Sequence, residues 1–189
     1  RRARLGDIVI LLRSMTGWSE VFVNVLMNEG IPASAQTRTG YFNTVEVETI
    51  LSLLSVIDNP MQDIPLAAVM RSPIVGMSDE EMAWMVAAFK KNSKKGQDRG
   101  VYGAWSMWME PDSEMLQKVP EEAAASIRKK LSCLSGLLET LRREAGYLPI
   151  HELLYRVYRD SGYYDYVSAL PAGETRRGNL DMLVEKAAA

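Results

Sequence analysis

The sequence predicts a mainly helical fold with a small α/β portion at its start, and three observations carry that expectation. Apolar residues recur at intervals of three and four along most of the chain after residue 43. Only two short stretches, residues 8–12 and 31–33, have the character of strands. One cysteine and one histidine in 189 residues supply neither an internal disulfide nor the ligands of a structural zinc site, so packing alone must support the core.

Taken in order, the run Ile-Val-Ile-Leu-Leu at 8–12, bounded by Asp7 and Arg13, reads as a strand buried on both faces of a parallel sheet, an element that requires neighbours. Trp18, Val21, Phe22, Val25 and Leu26 follow at helical spacing, Gly30 closes that helix, and residues 31–33 begin a second short strand. With no further strand in the pattern, the sheet that this β-α-β step belongs to is expected to lie outside the chain. The opening on Arg1 and the close on three alanines, after a helical pattern without a stop, suggest a piece of a longer protein.

Asn43 with Glu46 three residues on forms a capping-box pattern, and Val47, Ile50, Leu51, Leu54 and Ile57 line one face before Asp58, Asn59 and Pro60 stop the helix. Asp63, Ile64 and Pro65 open a short helix that must end before Pro73. Ser78 and Glu81 make a second capping box for a helix through Trp84, Met85, Ala88 and Phe89. A polar connection over residues 90–96 follows.

Residues 120–144 predict the longest helix, with Ala124, Ile127, Leu131, Leu134, Leu138, Leu141 and Ala145 as a seam suited to a central core helix. Pro149 starts another through Leu153, Leu154, Val157 and Tyr158 to Gly162, and a last helix is expected from near Asn179.

Twenty-two basic against 24 acidic residues leave a net charge of -2, so composition makes no case for a nucleic-acid binder, although a local basic face is compatible with it. No apolar run approaches the roughly 20 residues of a membrane span, and no signal-peptide pattern is present, which points to a cytoplasmic setting without membrane partners. There is no phosphate-binding Gly-rich loop and no nucleophile elbow. His151 lacks a nearby nucleophile, Cys133 flanks a helical seam, and Asp79, Glu80, Glu81, Glu121 and Glu122 complement helix dipoles, so all read as structural. No catalytic residue, metal ligand or cofactor site is assigned.

Three groups leave two readings open. Arg38, Tyr41 and Phe42 combine a cation with two aromatic faces, which suits single-strand stacking and equally suits a loop packed on its own helix. Lys90, Lys91, Lys94, Lys95 and Arg99 suit either a duplex backbone or a solvated connection. Tyr155, Tyr158, Tyr163, Tyr164 and Tyr166, interleaved with Arg156 and Arg159, read as ring cover for the core in preference to a stacking platform.

The segments 7–14, 26–32, 40–48, 51–60 and 71–81, with Gly162 to Val167 later, occur in the order seen in UvrD/RecB-type superfamily 1 helicases. The chain resembles the AddA branch of that family, subunits of bacterial complexes that process double-strand breaks. The resemblance implies that residues 1–58 are a partial segment of the second RecA-like motor domain, called 2A. Residues 59–189 are then a helical 2B-like insertion, truncated at its C-terminus. It further implies ATP and Mg as cofactors of the parent protein, none held by this piece, and a passive part for the piece in positioning DNA at a single-strand/duplex junction. The implied partners are the remaining motor domains and an AddB-like subunit. Arg38, Tyr41 and Phe42 are the implied single-strand contacts, although Thr37, Arg38, Thr39 and Gly40 depart from the paired glycines of relatives. Gly76 and Ser78, with Lys90, Lys91, Lys94 and Lys95, are the implied duplex contacts, against which the carboxylates of residues 79–81 would repel phosphate.

Overall fold

The computed structural model describes residues 3–13, 18–33, 41–92, 100–110 and 119–188. Among them nine α-helices form: α1 (Ser19–Asn28), α2 (Val45–Asp58), α3 (Asp63–Arg71), α4 (Asp79–Asn92), α5 (Gly100–Met109), α6 (Glu121–Ala145), α7 (Ile150–Ser161), α8 (Tyr163–Ser168) and α9 (Gly173–Ala188). Short 3₁₀ turns occupy Leu5–Asp7 and Tyr41–Asn43. The mainly helical expectation holds. The α/β start does not, because no strand forms among the described residues.

Residues 8–11 run without regular structure and lie open, Leu11 being 90% exposed, and residues 31–33 are irregular as well. Strand geometry requires a neighbouring ladder for its N–H and C=O groups, and none is at hand among the described residues. The helix predicted after the first strand is present as α1, yet Trp18, Val21, Phe22 and Val25 on its apolar face are exposed, while Met27 near its end is buried.

The chain divides into two compact units, one of residues Arg1–Glu48 with Tyr164–Ala189 and one of residues Thr49–Tyr163. In the second, the predicted seam is the core: Ile127, Leu131, Leu134, Leu138 and Leu141 of α6 are buried against α5 and α7. Burying each such side chain contributes on the order of 2 kcal/mol. Leu153, Leu154, Val157 and Tyr158 of α7 complete that face, and Gly162, at φ 65°, ends α7 in the left-handed conformation as predicted. Arg142 of α6 closes the end of α2, its Nε donating to Ile57 O (2.9 Å) and its Nη2 to Val56 O (2.8 Å).

Helix α5, which the apolar periodicity does not single out, is the most apolar contributor, with Ala104, Trp105, Met107 and Trp108 buried between α3, α4 and α6. Trp108 donates its indole N–H to Met85 O at 3.2 Å. Asp63, at the start of α3, caps α5 by accepting from the Val101 (2.9 Å) and Tyr102 (3.3 Å) amides. Gly100 stands at φ 57°, and a Cβ there would run into the Asp63 carboxylate.

In the first unit, α9 begins at Gly173 and not near Asn179. Its start is set by packing: Gly173 is buried and a Cβ on it would collide with the Ser168 carbonyl. Leu180, Leu183 and Val184 of α9 are buried, as are Val47, Met27 and Val167 in the same unit. The tyrosine cluster splits, since Tyr158 and Tyr163 are buried while Tyr155 and Tyr166 are exposed.

Candidate nucleic-acid interface

The turn Tyr41–Asn43 presents two aromatic rings side by side because the chain turns sharply into α2. The Thr44 hydroxyl donates to Tyr41 O (3.0 Å), and the Glu48 amide donates to Thr44 O (2.9 Å), so α2 starts from Thr44. The box expected between Asn43 and Glu46 therefore does not form. Glu46 is instead 3% exposed and turned to α9, where Asn179 Nδ2 (2.6 Å) and Arg176 Nη1 (3.2 Å) donate to its two oxygens. A long-range ion pair has displaced a local cap.

Tyr41 is anchored by the same helix, its hydroxyl donating to Asn179 O at 2.7 Å. Burial, and then the negative charge of Glu46, push its phenol up to about 12. Phe42 meets the Tyr41 ring edge-on, with centroids 5.0 Å apart at 75°, and is 52% exposed. Lys186, from the last turns of α9, holds its Nζ 5.5 Å from the Tyr41 ring centroid. Of the three residues singled out for single-strand contact, Tyr41 and Phe42 are thus adjacent, and Arg38 lies outside the described residues. Lys186 joins them from the far end of the chain. Its spacing from Leu180 and Leu183 marks it as a helix position, but no local pattern ties it to a turn so much earlier in the sequence.

The second candidate surface is the turn between α3 and α4. Gly76, at φ 69°, donates its amide to Ser72 O (2.7 Å), and Met77 donates to Met70 O (2.9 Å), so the turn is folded back on the end of α3. The capping box read from Ser78 and Glu81 is present: the Ser78 amide donates to Glu81 Oε2 (2.8 Å) and the Glu81 amide to Ser78 Oγ (3.1 Å). Glu81 also accepts from Ser126 Oγ (2.6 Å) and from Lys130 Nζ (2.7 Å), both on α6, and Lys130 donates to Gly76 O (2.7 Å) as well. Burial alone would raise the Glu81 carboxyl, but hydrogen bonds from Lys130, Ser126 and Ser78, with the Lys130 charge, hold it down at about 2.

Gly76 and Ser78 are both exposed, while the Ser78 amide and hydroxyl are engaged with Glu81. Asp79 beside them pairs with Arg71 at 2.7 Å on the open surface. Lys90 and Lys91 belong to the last turn of α4, with side chains outside the described residues, and Lys94 and Lys95 lie outside them altogether. Among the described residues no helix is long and apolar enough to cross a membrane.

No protein-family model matches the chain. Over 99% of its length the chain is 38% identical to the A subunit of the ATP-dependent helicase/nuclease of Lachnoclostridium phytofermentans. Over the same share it is 41% identical to the protein of the same name from Acetivibrio thermocellus and 42% identical to that from Bacillus cereus. It spans 14–16% of the length of these relatives. With such identity along nearly every residue, the chain matches a segment of ATP-dependent helicase/nuclease A subunits, the AddA branch that its motifs resemble.

Proposed function

We propose that the chain is the part of an ATP-dependent DNA helicase/nuclease subunit that positions DNA and neighbouring subunits during double-strand break processing, in the cytoplasm, and that it carries no catalytic centre of its own. ATP and Mg would be used by motor parts elsewhere in the parent protein. In this reading residues 1–58 belong to the 2A motor domain and residues 59–189 to a 2B-like insertion. The exposed apolar residues at 8–11 and on α1 would be covered by the remaining motor domains.

The observation that carries the DNA role is the Tyr41 turn, where a ring anchored to Asn179 and approached by Lys186 supports a second, solvent-facing ring at Phe42. Aromatic faces next to cations are what bind single strands without sequence preference. Anisotropy titration of a duplex with a single-stranded tail, at low salt, is expected to show weak, salt-sensitive binding by the chain. Absence of binding to any DNA removes this role. Purified chain that turned over ATP by itself would remove the passive one.

A second reading is favoured by the α4 start, where the Ser78 and Glu81 amides are engaged by their own box and the exposed Asp79 and Glu80 would repel phosphate. On that reading the Gly76 and Ser78 turn and the lysines at 90, 91, 94 and 95 contact no duplex, and the insertion docks an AddB-like partner. Capture of that partner, unchanged by charge reversal at the four lysines, would favour it.

A further inference from the structure

This inference rests on the reading of the Tyr41 turn as a single-strand contact and deepens it. We propose that Phe42 carries the base, that Lys186 of α9 pairs the phosphate next to it, and that Tyr41 contacts neither and is a positioning residue for both. Tyr41 has little left to offer a ligand. Its hydroxyl is committed to Asn179 O, Phe42 lies against its ring, and Lys186 stands 5.5 Å from its centroid. Phe42 has more than half of its surface open, the condition for taking a base on a ring face.

The cation has to stand near that ring, because a nucleotide's phosphate is tied to its base through a single sugar. Lys186 Nζ and the Phe42 ring centroid stand 5.5 and 5.0 Å from the Tyr41 ring centroid, so cation and open ring are grouped about one anchored ring. The lysine is held by the Tyr41 ring through a weak attraction, for which a fully charged phosphate competes. Its place is fixed by the helix. Arg176, Asn179, Leu183 and Lys186 follow at intervals of three, four and three, one stripe of α9. Arg176 and Asn179 are bonded to the buried Glu46 at the start of α2, and Leu183 is buried, so the stripe is set against the segment that carries Phe42.

The test uses the 189-residue chain and a fluorescein-labelled oligothymidylate, titrated by anisotropy across a salt series. Phe42→Ala is expected to weaken binding roughly 5- to 150-fold with the salt slope unchanged. Lys186→Ala is expected to reduce the log–log salt slope by about 0.7, the share of one phosphate contact on a single strand, and Lys186→Arg to restore it. Tyr41→Phe, silent if that ring itself stacks a base, is expected to weaken binding at constant slope. An unchanged slope in Lys186→Ala, with Phe42→Ala still weakened, overturns the lysine's role and leaves the turn as a single-strand contact. A silent Tyr41→Phe overturns the division between the rings. No binding by the unaltered chain sinks the underlying reading instead.

Discussion

Glu46 and Glu81 stand in the same local pattern, three residues after a capping residue at the start of a helix, and the fold uses them differently. Around Glu81 the pattern is fulfilled, and α6 adds Ser126 and Lys130 to a cap that already exists. Around Glu46 it is overridden, since Arg176 and Asn179 of α9 take the carboxylate and Thr44 starts the helix in place of Asn43. A solvent-accessible cap stabilises by about 1 kcal/mol. A buried carboxylate without a cation costs several, so once Glu46 is drawn inside, the ion pair decides its geometry.

The largest expected effect comes from the overridden site. Glu46→Ala strands Arg176 in a mostly buried position and should lower stability by about 3 kcal/mol, read from urea unfolding. A loss near that of a simple cap would break the comparison. Lys130→Met should cost about 1.5 kcal/mol by removing the charged partner of Glu81.

That variant also tests the pH dependence. The Glu81 carboxyl titrates at about 2 in the folded chain against an ordinary 4.5, so its stabilisation is whole above pH 4.5 and is lost as pH falls toward 2. The unaltered chain should therefore weaken through that window more steeply than Lys130→Met in matched unfolding curves.

Smaller effects sharpen the contrast between the caps. Ser78→Ala should cost about 1 kcal/mol, because its hydroxyl accepts the Glu81 amide. Asn43→Ala should fall within about 0.5 kcal/mol of the unaltered chain, since α2 starts one residue later. Equal losses by thermal unfolding would mean that the two helix starts are alike after all.

Much of the helical framework is legible in the chain. The α6 seam, the stop at residues 58–60, the left-handed Gly162 and the Ser78 box all depend on residues within a few positions of one another. Helix α5 does not stand out because apolar residues surround much of it, which blurs its period. The start of α9 differs from the expected one because it is fixed by the close approach of Gly173 to the Ser168 carbonyl, and no capping residue marks it. Of the candidate site, Tyr41 and Phe42 are readable as adjacent aromatics before a helix. Lys186 and the Glu46 network are not, since their partners lie more than a hundred residues away.

What the sequence determined by itself was where helices run and which faces are apolar, because both depend on nearest-turn spacing, together with the family that the order of its motifs resembles. Tertiary structure decided which carboxylate is a cap and which is a buried partner, which of two neighbouring rings is anchored and which is open, and whether an apolar run becomes a strand. Those outcomes turn on desolvation and on hydrogen-bond partners supplied by distant segments. An isolated stretch such as residues 8–11 cannot form a ladder alone.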